Sequence, residues 1–350
     1  MDKKPASSDY QNQLAKLNQS LEQNPDDLEA YYRRSEVYFT QEKYIDGIKD
    51  LDAILNIDKN ATLAYMFRGY GYEKLNNNEQ AIDDYSVAIA LEPNYAKAYF
   101  NRGTAYGKLK RYQQAISDYD SAIRLDSNYA EAYYNRGIAS NQLEQYLQAI
   151  SDYSQVISLN EKDAGAYYNR ANAYNRVKQY AQAIDDYDRA IELNPEDLEA
   201  YYNRANVYHK TRVYDRAIAD YSQVIKYNSR HAPTYYNRGT TYLGSEQYEK
   251  AIADFSQAVK INPQYAEAYY NRAISYNKIE QYQKAIADHQ QAIALKQDYA
   301  EAYGNLGLVY QTLGEKDKAI NNLQKAAKLF KQQNNQPLYE YVSNKLAKLG

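Results

Sequence analysis

The chain has 350 residues, with 42 Lys+Arg against 45 Asp+Glu and a formal net charge of −3, a balance that lacks the basic footprint of a nucleic-acid binder or a membrane-surface helix. It contains no cysteine, which excludes disulfides, thiolate metal sites and cysteine nucleophiles. A mean hydropathy of −0.86 comes with no apolar run long enough for a membrane span or a secretory signal, so the expected setting is cytoplasmic.

Residues 1–8 carry no periodic pattern and are expected to be disordered. Leu14, Leu17 and Leu21 then form a helical stripe that ends at Pro25, so residues 9–27 form a capping half-repeat, one helix without a partner. From residue 28 the chain repeats itself. Ala-Tyr-Tyr-Asn-Arg recurs at 132–136, 166–170, 200–204 and 268–272, and a 34-residue frame laid through these segments yields nine copies without an insertion. They run 28–61, 62–95, 96–129, 130–163, 164–197, 198–231, 232–265, 266–299 and 300–333.

Each copy holds two single-faced helical patterns. In the third, Tyr99, Arg102, Gly103 and Tyr106 fall at i, i+3, i+4 and i+7, and Ala115, Ile116, Tyr119, Ala122 and Ile123 mark a second helix after the joint at 110–112. Pro93, Pro195 and Pro263 close copies where they interrupt no helix. The eighth residue of a copy is always small, as in Gly103, Gly137 and Ala171, and so is the twentieth, as in Ala115 and Ala149; close helix packing requires this. Residues 334–350 form a last helix from Pro337. Its apolar edge is drawn from Leu338, Tyr341 or Val342, Lys345 or Leu346, and Leu349, and it caps the ninth copy. The expected fold is all-α, a solenoid of antiparallel helix pairs.

These columns resemble the tetratricopeptide repeat: aromatic at the fourth place, small at the eighth, Tyr at the eleventh, Ala at the twentieth, aromatic at the twenty-fourth and Pro at the thirty-second. Local departures are Ser140 in the eleventh column, Leu51, His289 and Leu323 in the twenty-fourth, and Lys59, Ser127, Glu161, Ser229, Gln297 and Lys331 in place of the proline. The resemblance implies a right-handed superhelix whose first helices line a concave groove, with the second, fifth, sixth and ninth places facing it.

Two columns depart from the family in a regular way. The seventh place, usually apolar there, is arginine in eight copies, among them Arg136, Arg170 and Arg204, and the twenty-third is aspartate in the same eight, with Asp152, Asp186 and Asp220 as counterparts. In the ninth copy both change together, to Leu306 and Asn322. The expectation is a structural ion pair inside each copy; the alternative is a ligand-binding role. The sixth place is Asn101, Asn135, Asn169, Asn203, Asn237, Asn271 and Asn305 in seven consecutive copies. A carboxamide offers a donor beside an acceptor and can hold a peptide unit whatever its side chain. This column resembles the asparagine ladder inside the superhelix of the O-linked N-acetylglucosamine transferase, which implies backbone recognition of an extended peptide. The alternative is a neutral residue copied by duplication.

The fifth place carries Tyr134, Tyr168, Tyr202, Tyr236 and Tyr270, and the second Glu131, Glu199 and Glu267, so the groove suits a neutral to basic segment. No copy has lysine at the fifth place, which sets it apart from the carboxylate-clamp subtype of the family. His209, His231 and His289 are assigned to packing, and no metal or cofactor is expected. The chain is thus expected to be a non-enzymatic, monomeric scaffold or adaptor for a protein partner, with self-assembly into a homo-oligomeric solenoid as the alternative.

Overall fold

The computed structural model describes residues 7–349. It is helical throughout, and among the described residues there is no strand. Nine helix pairs follow the 34-residue frame, each a 13-residue first helix (Ala96–Lys108, Ala130–Gln142) and a second helix that has 14 residues in every copy but the last (Tyr112–Leu125, Tyr146–Leu159). A helix over Ser7–Gln23 precedes them and one over Gln336–Ala347 follows. Most of the stretch expected to be disordered, residues 1–6, lies outside the described residues.

The described residues form two compact units, and the chain passes from one to the other between Gln179 and Tyr180, inside the fifth copy. Each is a stack of antiparallel helix pairs. In the first unit, small cores follow one another along the stack, such as Met66, Ile82, Tyr85 and Ala98, and then Ala149, Tyr153 and Ala173. The second unit repeats this with Ala205, Tyr208 and Tyr221 and with Ala273, Ile286 and Leu306. Burial of this kind ties each repeat mainly to its neighbours.

The sequence explains where helices start and stop. Asp27, Asp163 and Asp197 occupy the last place before a first helix, and their carboxylates accept the amide N–H of Ala30, Ala166 and Ala200 at 3.1, 2.9 and 3.2 Å, the usual N-cap arrangement. Every first helix ends on a residue in the left-handed region, Glu42, Asn76, Lys110, Glu144, Lys178, Arg212, Glu246 and Glu280 (φ 59–62°), with glycine there only in the ninth copy, Gly314 at 76°. In the first copy the N–H of Lys43 returns to Tyr38 O at 2.9 Å, which satisfies an orphan helix carbonyl.

The small columns set the spacing. A Cβ placed on Gly137 would lie 2.8 Å from the Tyr153 ring, and one on Gly239 2.8 Å from Phe255. Tyr85, Tyr153, Tyr187, Tyr221 and Phe255, all of the twenty-fourth column, are the largest fully buried side chains.

The C-terminal helix takes up the Val342, Leu346 and Leu349 branch of its expected edge and leaves out Leu338. Tyr339, Val342, Leu346 and Leu349 pack on the ninth copy, whereas Leu338 and Tyr341 are 36% and 49% exposed. Sites 338, 341 and 345 form a stripe as regular as 339, 342, 346 and 349, so spacing alone did not choose between them.

Candidate peptide-binding face

Within each unit the first helices of neighbouring copies touch, copy two with three and three with four in the first unit, and six through nine in succession in the second; among the described residues of either unit no pair of second helices comes comparably close. The first-helix side is therefore the tighter, inner face of each stack. The asparagine column and the fifth-place rings lie there, half-buried.

The structure brings these two columns together across repeats. Asn169 Nδ2 donates to Tyr134 Oη at 2.8 Å. In the second unit Asn237 donates to Tyr202 at 2.8 Å, Asn271 to Tyr236 at 3.0 Å and Asn305 to Tyr270 at 3.0 Å. The tyrosine at the fifth place of one copy thus anchors the asparagine at the sixth place of the next, 35 residues on. Phe100, at the fifth place of the third copy, has no hydroxyl to anchor Asn135 in this way. Asn237 gives its second N–H to Asn206 Oδ1 at 3.0 Å. Tyr168 and Asn203 stand on opposite sides of the division between the units. Asn101, in the third copy, lies beside Lys97, Phe67 and Tyr95.

A second set of rings builds the face outward. In copies two to eight the thirty-fourth residue is either the capping aspartate or an aromatic, and in copies three, six, seven and eight the aromatic lies against the fifth-place ring. Tyr129 meets Phe100 at 4.9 Å, Tyr265 meets Tyr236 at 4.8 Å and Tyr299 meets Tyr270 at 4.9 Å, with interplanar angles of 32–37°, while His231 meets Tyr202 edge-on at 5.7 Å. Burial first, and the Glu267 carboxylate second, raise the Tyr236 hydroxyl above its ordinary pKa, and burial with Glu301 nearby pushes Tyr270 up to about 12. Both stay protonated at neutral pH. Having accepted an asparagine N–H, each keeps its own proton to donate, beside a carboxamide oxygen that can accept. Glu131, exposed, and Glu267, half-buried, border the face in the first and second units, and Glu199, exposed, borders it in the second.

Arginine and aspartate meet between the two helices in copies one to four and six to eight. Arg136 Nη2 lies 2.6 Å and Nε 3.0 Å from the Asp152 carboxylate, and Arg204 Nε and Nη2 reach Asp220 at 2.8 and 2.7 Å. Asp152 is 1% exposed and Asp220 7%. Burial pushes both carboxyls above the ordinary aspartate range, and the guanidinium pulls them back. The pair is ionic on chemical grounds, since the bidentate fork matches a carboxylate and a protonated acid would set an O–H against an N–H. Arg170 and Asp186 fall on either side of the division between the units and stay an expectation.

Sequence reasoning missed the third arm of the arginine. Nη1 reaches back to the twenty-fifth residue of the preceding copy: Arg68 to Asp52 at 2.7 Å, Arg102 to Ser86 at 3.0 Å, Arg170 to Ser154 at 2.9 Å, Arg204 to Asp188 at 2.6 Å and Arg238 to Ser222 at 2.8 Å. Arg136 makes the same bond to Asp120. Even Arg34 finds Asn18 of the N-terminal helix at 2.7 Å, which places that helix in the register of a second helix. The only available signal was the column itself, in which Asp52, Ser86, Asp120, Ser154, Asp188 and Ser222 alternate before Ser256 repeats the serine. Tyrosines of the fourth and eleventh columns flank the same cation: Arg204 lies 5.5 Å from the Tyr201 ring and 5.9 Å from Tyr208, within cation–π range. Much of the tyrosine in the composition is explained by these columns.

His209 Nδ1 lies 2.9 Å from Thr241 Oγ1 and His231 Nδ1 2.6 Å from Thr234 Oγ1, while His289 is 1% exposed. Among the described residues no three His, Asp or Glu side chains group so as to hold a metal.

Family profiles described as tetratricopeptide repeat match residues 96–129, 130–163, 164–197 and 232–265, a second such profile matches 264–332 and a third 186–219, and one described as TPR repeat matches 69–110. The chain belongs to the tetratricopeptide repeat family. A solved tetratricopeptide repeat protein from Parabacteroides merdae ATCC 43184 is 22% identical, with 71% of this chain and 99% of that one covered and a TM-score of 0.51; that likeness bears on the fold alone. YrrB, a TPR protein with an unusual peptide-binding site, is 27% identical over 53% of this chain and 95% of its own, with a TM-score of 0.49. Yeast Tom70 is 13% identical over 97% of this chain and 93% of its own, with a TM-score of 0.42. A comparison with curated proteins gives no match. Among the described residues of this tetratricopeptide repeat protein, no helix is long and apolar enough to cross a membrane.

Proposed function

We propose that this tetratricopeptide repeat protein is a cytoplasmic, non-enzymatic scaffold whose first-helix face holds an extended, neutral to basic segment of a partner protein. The observation that carries the reading is the linked rung: an asparagine fixed by the tyrosine of the preceding copy, at Tyr236 with Asn271 and Tyr270 with Asn305. Each rung presents a hydroxyl proton and a carboxamide oxygen, the complement of a peptide carbonyl and N–H. Successive rungs repeat that pair once per copy, which suits a ligand recognised by its backbone. Glu267 and Glu301 give the face its preference for cations. Each contact contributes about 0.5–1.5 kcal/mol net, partly offset by ordering the ligand.

The test is affinity capture with the wild type and with the combined Asn237→Ala, Asn271→Ala and Asn305→Ala variant, after circular dichroism has matched their helicity. The variant is expected to lose partners that the wild type retains. Equal recovery would end the rung reading, and a wild type that light scattering finds assembling with concentration would favour the homo-oligomeric solenoid.

A further inference from the structure

The ninth copy breaks four of these columns at once: Gly304 replaces the fifth-place aromatic, Leu306 the arginine, Asn322 the aspartate and Leu323 the twenty-fourth-place aromatic. Two of these changes, Gly304 and Leu323, meet at one cavity. Gly304 is buried in the middle of the Ala300–Thr312 helix, and a Cβ there would meet only Ala326 Cβ, at 3.8 Å. That differs from Gly307 in the same helix, whose Cβ would strike Leu323 at 2.7 Å. No close approach and no left-handed backbone requires glycine at 304, and a mid-helix glycine costs stability relative to alanine. What its missing side chain leaves open is a cavity of about 130 Å³ walled by Leu308, Leu323, Phe330 and Val342, with Leu338 and Tyr341 at its rim.

We infer that this cavity is an anchor pocket for one leucine- or phenylalanine-sized side chain of a partner segment lying along the second unit's face. The inference rests on the groove reading above and adds to it what the partner must carry. The volume is close to that of an engineered apolar cavity of about 150 Å³ that takes up benzene. The lining includes one carboxylate, Glu301, and no cation, with Tyr270 and Asn305 of the last rung beside it, so the anchor is flanked by a neutral or basic residue. The exposed Leu338 and Tyr341 of the capping helix face this opening, which gives a reason for the helix not turning them into the core.

Two probes separate this inference from the groove reading. N-acetyl-leucine methylamide, added at millimolar concentration to protein labelled at leucine methyls, is expected to shift Leu308, Leu323 and Leu338. Gly304→Tyr, which restores the residue of the column, and Leu338→Gln at the exposed rim, which keeps the test valid if the tyrosine misfolds, are both expected to abolish the shifts. Absence of these shifts in the wild type, or their persistence in both variants, overturns the pocket. Fluorescent twelve-residue lysine-, serine- and glycine-rich peptides with one central leucine or alanine then test the pocket in its groove, where the leucine form is expected to bind about tenfold tighter. That preference should vanish in Gly304→Tyr while the alanine form still binds. Methylamide shifts without binding of either peptide refute the groove reading alone. A wild-type dimer that Gly304→Tyr dissolves overturns the partner reading in favour of a second copy of the chain.

Discussion

Replacing His289 with phenylalanine should remove a large part of the protein's acid sensitivity. His289 fills the twenty-fourth place of the eighth copy, where the seventh has Phe255, and the two rings sit alike: His289 lies 5.8 Å from Tyr270 at 56°, Phe255 5.9 Å from Tyr236 at 52°. The imidazole is 1% exposed and its Nδ1 is buried without a hydrogen bond. Burial lowers its pKa from the ordinary 6.5 to about 4. A histidine lowered on folding binds more protons unfolded than folded, so its stability contribution is intact above pH 6.5 and falls away between 6.5 and 4. At pH 5 the loss is about 2 kcal/mol, and below both values about 3 kcal/mol. Urea melts of wild type and His289→Phe at pH 7 and pH 5 measure it, since the aspartates titrate in both proteins and cancel in the difference. The variant should lose about 2 kcal/mol less between the two pH values. Amide exchange should place the wild-type loss in copies eight and nine, because repeat stacks open locally. An equal loss in both proteins would refute the burial argument.

Two further changes test the packing and the ion pairs. Asp254→Ala leaves Arg238 only the hydroxyl of Ser222, whereas Asp152→Ala leaves Arg136 the carboxylate of Asp120. The first should cost about 3–5 kcal/mol and the second at least about 1 kcal/mol less, and equal losses in chemical melts would mean that the third arm carries nothing. Ala149, fully buried beside Tyr153 and Ala173, cannot accept leucine without displacing them, so Ala149→Leu should cost about 1–3 kcal/mol; an unchanged melting curve would contradict this.

Period made most of the architecture legible. Nine copies in one frame multiply each weak local signal, so small residues at the eighth and twentieth places and the pairing of Arg204 with Asp220, 16 residues apart, could be read from columns alone. Contacts between copies could not. The bond from Asn271 to Tyr236 joins two columns that each have a sufficient separate explanation, packing for one and polarity for the other. The Nη1 arm of Arg238 ends on Ser222, a residue type that any solvated helix face can carry. The orientation of the C-terminal helix escaped for a different reason: with no further copy to compare, Leu338 and Tyr339 begin equally good stripes, and only packing decides.

The alternation at the twenty-fifth place gives the stack unequal seams. Arg68 and Arg204 clasp the copy before them through a carboxylate, and so does Arg136, while Arg102, Arg170, Arg238 and Arg272 hold theirs through a hydroxyl. A charged clasp resists separation more than a neutral one. Under tension along the chain, then, the seams before copies three, five, seven and eight are the ones to yield, and the first four copies come away as couplets of 68 residues, twice the length of the repeat that encodes them.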